Sequence, residues 1–166
     1  MIRGELVDRI AVRPAEPEDA EFLRGVFAST RELERRAARW TAEEWQGFIR
    51  LQYKAQETSY TTRFPSAERD IIQCGGIDIG EIWVHRSTDE IRLLDIAILP
   101  KYRSRGIGSF LIKQLQQDAE SRNVPLRHFV EIENPDARRL YERLGFRAVE
   151  THGLHTLMEW RVAQSR

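Results

Sequence analysis

The sequence predicts an α/β fold built on a mixed, mostly antiparallel sheet of about seven strands that is flanked by helices. Apolar residues follow helical spacing in the first third of the chain, and from Asp70 onward they form short runs separated by Gly and Pro. Two strand–helix units and a last pair of apolar runs come after these. At 166 residues the chain has the length of one domain, which we expect to span residues 1–166.

Composition and charge are those of an ordinary globular protein, with 41% hydrophobic and 31% charged residues. Basic and acidic residues number 26 each, so no overall field favours nucleic acid or an anionic membrane. The single cysteine, Cys74, excludes an internal disulfide and a cysteine-based metal cluster, and its apolar neighbours favour a core position. No apolar run reaches membrane-spanning length and the first residues do not resemble a signal peptide. We expect a cytoplasmic protein with no nucleic-acid, membrane or metal partner.

The first third is predicted to hold one short strand, residues 10–13, and two helices. Pro17 and the acids after it suit the first turn of a helix. Thr41 and Glu44 have the spacing of a capping box, which predicts a second helix from there to about Glu57. The segment 59–65 is aromatic and polar without a clear period, so we expect a loop.

The remaining strands and helices follow from alternating apolar runs and turn residues. The predicted strands are 70–74 and 77–84 around Gly75-Gly76, then 91–99, 126–132, 147–151 and 156–161. The predicted helices are 107 to about 123 and 135–144, with Gly145 as the C-cap. The strand–helix–strand unit in the middle predicts a right-handed parallel crossover, and ligands of such sheets bind at the carboxyl ends of the strands.

A short Arg/Gly loop lies at that carboxyl end, between the strand 91–99 and the next helix. Gly106 and Gly108 let the backbone approach a ligand, and the helix N-terminus directs unpaired N–H groups at an anion. The same pattern alone also describes a tight turn. The loop lacks the Gly-Lys-Ser/Thr of a Walker A site and the third glycine of a dinucleotide site. The anion site that is left suits a pyrophosphate, and its basic neighbours are Lys101, Arg103 and Arg105.

A second motif begins at Asn134, which is suited to cap a helix that starts at Pro135. Taken alone, Tyr141 in this helix is more typical of a packed core residue than of an acid catalyst. The two segments together resemble the GNAT N-acetyltransferase superfamily. Its Arg-x-x-Gly-x-Gly loop is matched by Arg103, Gly106 and Gly108, and its Asn-x-x-Ala-x-x-x-Tyr-x-x-x-Gly-Phe motif by Asn134, Ala137, Tyr141, Gly145 and Phe146. The matched region, 93–146, is about a third of the chain.

The resemblance implies transfer of an acetyl group from acetyl-CoA to an amine, on a fold whose central parallel strands splay apart. It places the CoA pyrophosphate on the loop amides, the pantetheine arm along the preceding strand, and the thioester carbonyl near the N–H of Ile98. The residues implied for acetyl-CoA binding are Ile96, Ala97, Ile98, Arg103, Ser104, Arg105, Gly106, Ile107, Gly108, Ser109 and Asn134.

For catalysis, the resemblance makes Tyr141 the general acid that protonates the departing thiolate. The base is expected to be a carboxylate, and Asp95 is the first candidate. A structural hydrogen bond would explain a carboxylate in this apolar strand equally well. Glu131 and His128 come next and alternate to opposite faces of their strand, so at most one faces the substrate. Two weaker candidates, Glu81 and His85, are expected at solvated edge positions.

The resemblance places the acceptor site at the first two helices and the late strands. The side chains there are Trp45, Phe48, Gln52, Tyr53, Gln56, Tyr60 and Phe64, of which Phe48, Gln52 and Gln56 share one helix face and form either an acceptor wall or ordinary packing. We favour a small-molecule amine as acceptor. The alternatives are a protein N-terminus or lysine, and a module that binds acyl-CoA without catalysis. Whether the donor carries an acetyl or a longer acyl group is left as an alternative. A homodimer, frequent in the family, is possible.

Overall fold

The computed structural model describes residues 3–163. Its helices are α1 (Arg3–Val7), α2 (Ala20–Ser29), α3 (Glu32–Ala38), α4 (Ala42–Arg63), α5 (Ile107–Arg122) and α6 (Pro135–Arg143), with short 3-10 turns at Pro17–Asp19 and Pro100–Tyr102. Its strands are β1 (Ile10–Pro14), β2 (Glu68–Cys74), β3 (Ile77–Arg86), β4 (Ile91–Ile98), β5 (Leu126–Glu131), β6 (Arg147–His152) and β7 (His155–Trp160). The predicted mixed α/β architecture is confirmed.

The described strands form one seven-stranded sheet in the order β1-β2-β3-β4-β5-β7-β6. Neighbours are antiparallel except β4 and β5, which α5 connects as a parallel crossover. The pairing of β4 with β5 covers only their first residues and ends at Leu93 opposite His128. Beyond that point the two strands diverge, which confirms the predicted splay and opens a gap at the centre of the sheet.

A β-bulge in β4 decides which side chains face each side of this gap. Trp83 of β3 pairs with Asp95 and the next residue, Val84, pairs with Leu93, so Leu94 has no opposite residue. The extra residue reverses the alternation of side chains along the strand. Leu93 therefore packs in the core on one face of the sheet, whereas Asp95 points to the other.

Helices cover the sheet on both faces. On one face α1, α5 and α6 enclose the larger core, whose buried members include Ile72, Ile82, Leu93, Ile112, Leu126 and Met158. On the other face α2 and α4 cover β2 to β4 with a smaller core of Leu23, Phe27, Trp45, Ile49, Tyr53 and Ile71. Cys74 lies buried in the larger core, as expected. Within residues 3–163 no helix combines the length and the apolar character needed to cross a bilayer.

Local capping signals are confirmed where the sequence showed them. Thr41 and Glu44 exchange both hydrogen bonds of the capping box at the start of α4, at 2.8 and 3.2 Å. At α6, Oδ1 of Asn134 accepts from the N–H of Ala137 at 3.1 Å. Gly145 ends α6 with a φ of +87°, a backbone conformation that favours glycine.

Three segments of the first third differ from the prediction. Helix α4 continues to Arg63, so the expected loop at 59–65 is wrong. Long-range contacts stabilise this last part, since the ring of Tyr60 packs on Trp83 at 5.1 Å and its hydroxyl donates to the Leu94 carbonyl at 3.0 Å. Helices α1 and α3 were not predicted. The sequence of α3 has no apolar stripe, and its Leu33 is 81% exposed.

Candidate active site

The gap between β4 and β5 is bordered by backbone groups of β4 that do not pair with β5. The N–H of Leu99 bonds the Ile79 carbonyl at 2.8 Å, and hydrogen-bonded residues alternate along an antiparallel pair. Ala97 therefore directs its backbone groups toward β3. Ile96 and Ile98 direct theirs into the gap, where the Ile98 carbonyl accepts a hydrogen bond from Arg103 and the Ile98 N–H stays open. The ligand contact expected for Ala97 stays a prediction.

The Arg/Gly loop presents a row of open amides beside the gap. Ser104 and Gly106 have φ values of +59° and +86°, and α5 begins directly after Gly106. Within residues 3–163 no acceptor bonds the N–H groups from Ser104 to Ser109. The first turn of α5 holds no acidic residue, and no side chain caps it. This geometry suits an anion such as a pyrophosphate.

Arg103 has a different position from its basic neighbours. Its Nε donates to the Ile98 carbonyl at 2.7 Å, and its Nη2 donates to the carbonyl and hydroxyl of Ser29 at 3.2 Å. The side chain thus ties the end of β4 to the end of α2. Lys101 and Arg105 instead lie near the ring of Tyr102, at 5.7 and 5.9 Å from its centroid, and are exposed.

Tyr141 lies on the α6 side of the gap, with only 3% of its surface exposed. Its ring contacts His128 at 4.8 Å and Phe146 at 5.2 Å. The hydroxyl has no hydrogen-bond partner among the described residues. Burial, together with the charge of Asp95, raises the pKa of the Tyr141 phenol above its ordinary value. The phenol therefore keeps its proton and can donate it.

His128 lies beside Tyr141 on the same face. Its Nδ1 is 2.8 Å from the Leu93 carbonyl. Since a carbonyl only accepts, Nδ1 carries the hydrogen and Nε2 keeps a free lone pair. Burial lowers the pKa of the His128 imidazole to about 4, so the ring is neutral near pH 7.

Asp95 lies on the opposite side of the gap, below α4. It is partly buried, and burial together with the nearby Glu81 carboxylate raises its pKa well above the ordinary range, against the opposing charge of Arg69. Glu81 is fully buried and its Oε2 accepts from Nε of Arg69 at 2.7 Å. The expected solvated edge position of Glu81 is therefore wrong. Its strand, β3, is an interior strand with both faces covered.

The remaining candidates lie outside this cluster. Glu131 is exposed at the end of β5 and stands opposite His155. His85 is near the end of β3, where its ring contacts Phe64 at 5.1 Å. Its Nδ1 is 3.4 Å from the Ser66 hydroxyl.

The three side chains expected to form an acceptor wall on α4 lie in different surroundings. Phe48 stacks on Trp40 and Trp45 at 5.1 and 5.6 Å, and Gln52 is exposed. The third residue of that helix face, Gln56, lies one turn before Tyr60. It is partly buried and, among the described residues, its Oε1 has no hydrogen-bond partner.

The polar neighbours that hold Glu81 were not predicted from the sequence. Arg69 stacks over the ring of Trp83 at 4.4 Å and bonds Glu57 of α4 at 2.6 Å. Arg69 precedes the predicted start of its strand by one residue, and Glu57 falls at the predicted end of its helix. No local pattern links the two, because the contact joins a helix to a strand across a covered sheet face.

Comparison with known proteins agrees with this geometry. The family model described as "Acetyltransferase (GNAT) family" matches residues 27–146. Among curated proteins, the uncharacterized N-acetyltransferase CgeE of Bacillus subtilis is 25% identical over an alignment of 114 residues, with coverage of 63% of this chain and 43% of the relative. The chain therefore aligns with less than half of that relative's length.

Solved structures share the fold at low identity. The PaiA N-acetyltransferase of Thermoplasma acidophilum, in complex with coenzyme A, is 20% identical with a TM-score of 0.68, covering 92% of this chain and 98% of that one. An acetyltransferase of Thermus thermophilus is 21% identical with a TM-score of 0.67, covering 94% and 99%. An acetyl-CoA-bound GNAT family acetyltransferase of Elizabethkingia anophelis is 16% identical with a TM-score of 0.61, covering 93% and 99%.

Proposed function

The chain belongs to the acetyltransferase (GNAT) family, and from this premise we propose that it transfers an acetyl group from acetyl-CoA directly to a primary amine of a small molecule. The observation that carries the proposal is the gap beyond Leu93 and His128. A protonated phenol, Tyr141, lies on one side of it and a carboxyl group, Asp95, on the other. Acetylation of an amine requires one group that removes a proton from the nitrogen and another that donates a proton to the departing thiolate.

The donor site fits the chemistry of CoA. The open amides from Ser104 to Ser109 suit the pyrophosphate, and the backbone groups of Ile96 suit the amides of the pantetheine arm. Asn134, which caps α6, is proposed to contact the same arm. Acetyl-CoA supplies an activated thioester, and the N–H of Ile98 is proposed to polarise its carbonyl.

The two side chains have opposite tasks in the proposed reaction. An alkyl ammonium has a pKa of about 10, so it must lose a proton before its nitrogen can attack near neutral pH. We assign that proton to Asp95, whose raised pKa makes it a stronger base than an ordinary carboxylate. Tyr141 donates a proton to the departing CoA thiolate, and the second proton, which the nitrogen loses as the amide forms, restores the phenol.

The position of Asp95 favours a compact acceptor. The carboxyl group is partly buried below α4, next to the fully buried Glu81, and the Tyr60 hydroxyl bonds the carbonyl of the preceding residue, Leu94. A small amine reaches such a group more readily than an amine on a folded protein surface. This supports a small molecule over a protein N-terminus or lysine as the acceptor.

Release of the CoA thiol tests the function directly. The protein is incubated with acetyl-CoA and a panel of small primary amines, and in parallel with N-terminal and lysine peptides. Turnover with small amines is expected. Turnover confined to peptides would instead indicate a protein acetyltransferase, and acetyl-CoA binding without turnover on either panel would indicate a non-catalytic module.

A carboxylate at the start of α5 is expected to weaken CoA binding. Ser109→Glu places a negative charge beside the proposed pyrophosphate site and should lower CoA affinity by about 1–2 kcal/mol, measured by titration calorimetry. The same charge at a helix N-terminus stabilises the helix, so the fold is expected to remain intact. Gln114→Glu, an exposed change of equal charge in the same helix, is the control and should bind CoA normally. Equal affinity of both variants would contradict the assigned site.

A further inference from the structure

Three carboxylates gather around one guanidinium between α4 and the strands β2 to β4. Arg69 donates to Glu57 at 2.6 Å and to Glu81 at 2.7 Å, and Asp95 lies close to Glu81 on the next strand. Glu57 is the most exposed of the three, with 38% of its side chain accessible, whereas Glu81 is completely buried. One positive charge therefore faces more negative charge than it can balance.

The register places the two inner carboxyl groups side by side. Glu81 pairs with Ala97, and Trp83 pairs with Asp95, so Glu81 and Asp95 are diagonal neighbours on the same face of the sheet. Two carboxylates at such neighbouring, buried positions cannot both be ionised without a large cost.

One oxygen of the Glu81 carboxylate indicates where Asp95 and Glu81 contact each other. Its Oε2 is held by Arg69, but Oε1 is fully buried and has no hydrogen-bond donor among residues 3–163. A buried carboxylate oxygen without a donor is costly. A proton on the neighbouring carboxyl group would supply the missing donor.

We propose that Asp95 and Glu81 share one proton in the free protein, and that Glu81 is a positioning residue that sets how firmly Asp95 holds it. Asp95 carries the proton and donates it to Oε1 of Glu81, while Arg69 holds Oε2 of Glu81. The pKa of Asp95, raised by burial and by Glu81, agrees with this arrangement. The catalytic consequence rests on the proposed acetyl transfer.

Other groups that face the pair do not supply the proton or remove the excess charge. Burial raises the pKa of Tyr53 to about 12 and raises that of Tyr60 and Tyr141 further, so all three phenols are neutral near pH 7. The charges of Arg31, at the start of α3, and of Arg63, at the end of α4, lower the pKa of Tyr60 and only partly offset its rise. Arg69 is the cation that contacts Glu81. The carboxyl pair therefore holds the titrating proton.

The pair imposes a step before catalysis. Asp95 must first release its proton to solvent, which leaves both carboxyl groups ionised. It then takes one proton from the acceptor's ammonium group: the N–H bond breaks, an O–H bond forms on Asp95, and the amine becomes neutral. The rate consequently rises with pH through the pKa of Asp95.

Glu81→Gln tests this assignment. The change removes the adjacent negative charge, lets the new amide donate to Asp95, and leaves an oxygen for Arg69. The first two effects lower the pKa of Asp95, so the acid limb of the kcat/KM profile should move to lower pH by about one unit or more. Glu57→Gln is the matched control, since it removes the other carboxylate of Arg69 but leaves Glu81 beside Asp95, and its shift should be much smaller.

A measurement without turnover separates this inference from the proposed function. Carbon-13 NMR of carboxyl-labelled free protein follows the titration of Asp95, with the signal assigned by its loss in Asp95→Asn. Titration of Asp95 well above the ordinary aspartate range, and a lower value in Glu81→Gln, would support the pair even if no amine is acetylated. Titration of wild-type Asp95 in the ordinary range would overturn it, whether or not Glu81→Gln folds.

Discussion

Replacing Tyr141 by Phe is expected to lower kcat by about 10²–10⁴-fold while changing the KM for acetyl-CoA little. The substitution removes only the hydroxyl, so the contacts of the ring with His128 and Phe146 are kept. The hydroxyl makes no hydrogen bond within residues 3–163, and the fold therefore loses little stability. What disappears is the proton that the departing thiolate needs. Steady-state kinetics with acetyl-CoA and the acceptor found by the amine panel measures both constants.

Tyr102→Phe serves as the control for loss of a phenol hydroxyl away from the gap. Tyr102 lies in the 3-10 turn before the Arg/Gly loop, and its ring stays in place beneath Arg105. We expect wild-type kinetics for this variant. An equal loss of kcat and acetyl-CoA affinity in Tyr141→Phe, or no loss of either, would contradict the role of Tyr141 as the acid.

The second large effect concerns stability. Gly80→Ala is expected to reduce the free energy of unfolding by about 3 kcal/mol or more, because its Cβ would lie 2.2 Å from the Ala97 carbonyl oxygen and 3.0 Å from Cα of Ile98. Both contacts are with backbone, so no side-chain rotation can relieve them. The strand that must move is β4, which carries Ile98 and Asp95. Urea denaturation followed by circular dichroism measures the change.

Gly47→Ala is the matched comparison. Gly47 lies inside α4, and a Cβ there would meet no atom within 4 Å. Since alanine favours the helix over glycine by about 1 kcal/mol, this variant should be as stable as the wild type or more so. If Gly80→Ala unfolded at the same urea concentration as Gly47→Ala, the close approach of β3 to β4 would be refuted.

The parts of the site that the sequence could predict are those whose geometry is local. The loop from Arg103 to Gly108 and the cap at Asn134 depend on neighbouring residues, on turn chemistry and on helix ends. Residues that act through such local geometry are recognisable in a sequence. The parallel pair of β4 and β5 followed from the strand–helix–strand pattern in the same way.

The surroundings of Asp95 could not be predicted from the sequence, for a physical reason. Its side chain faces α4 because Leu94 is an extra residue in the pairing with β3, and an apolar run such as Leu93 to Ile98 does not show where a bulge falls. Glu81 looks like a solvated residue in an alternating strand. It is buried because α4 continues past Glu57 and Tyr60 covers Trp83, contacts that depend on the full tertiary structure.

The early end of the β4–β5 pairing also gives the protein an internal sheet edge. Ile96 and the N–H of Ile98 present backbone groups two residues apart, a spacing of about 6.6 Å, to a place where the next strand is missing. On a protein surface, an exposed sheet edge of this kind can pair with a strand of another chain. Here the edge is inside the molecule, so a slender ligand with amides along its length can take the place of that strand. Recognition of this ligand through the main chain leaves the side chains of β4 free to serve the acceptor.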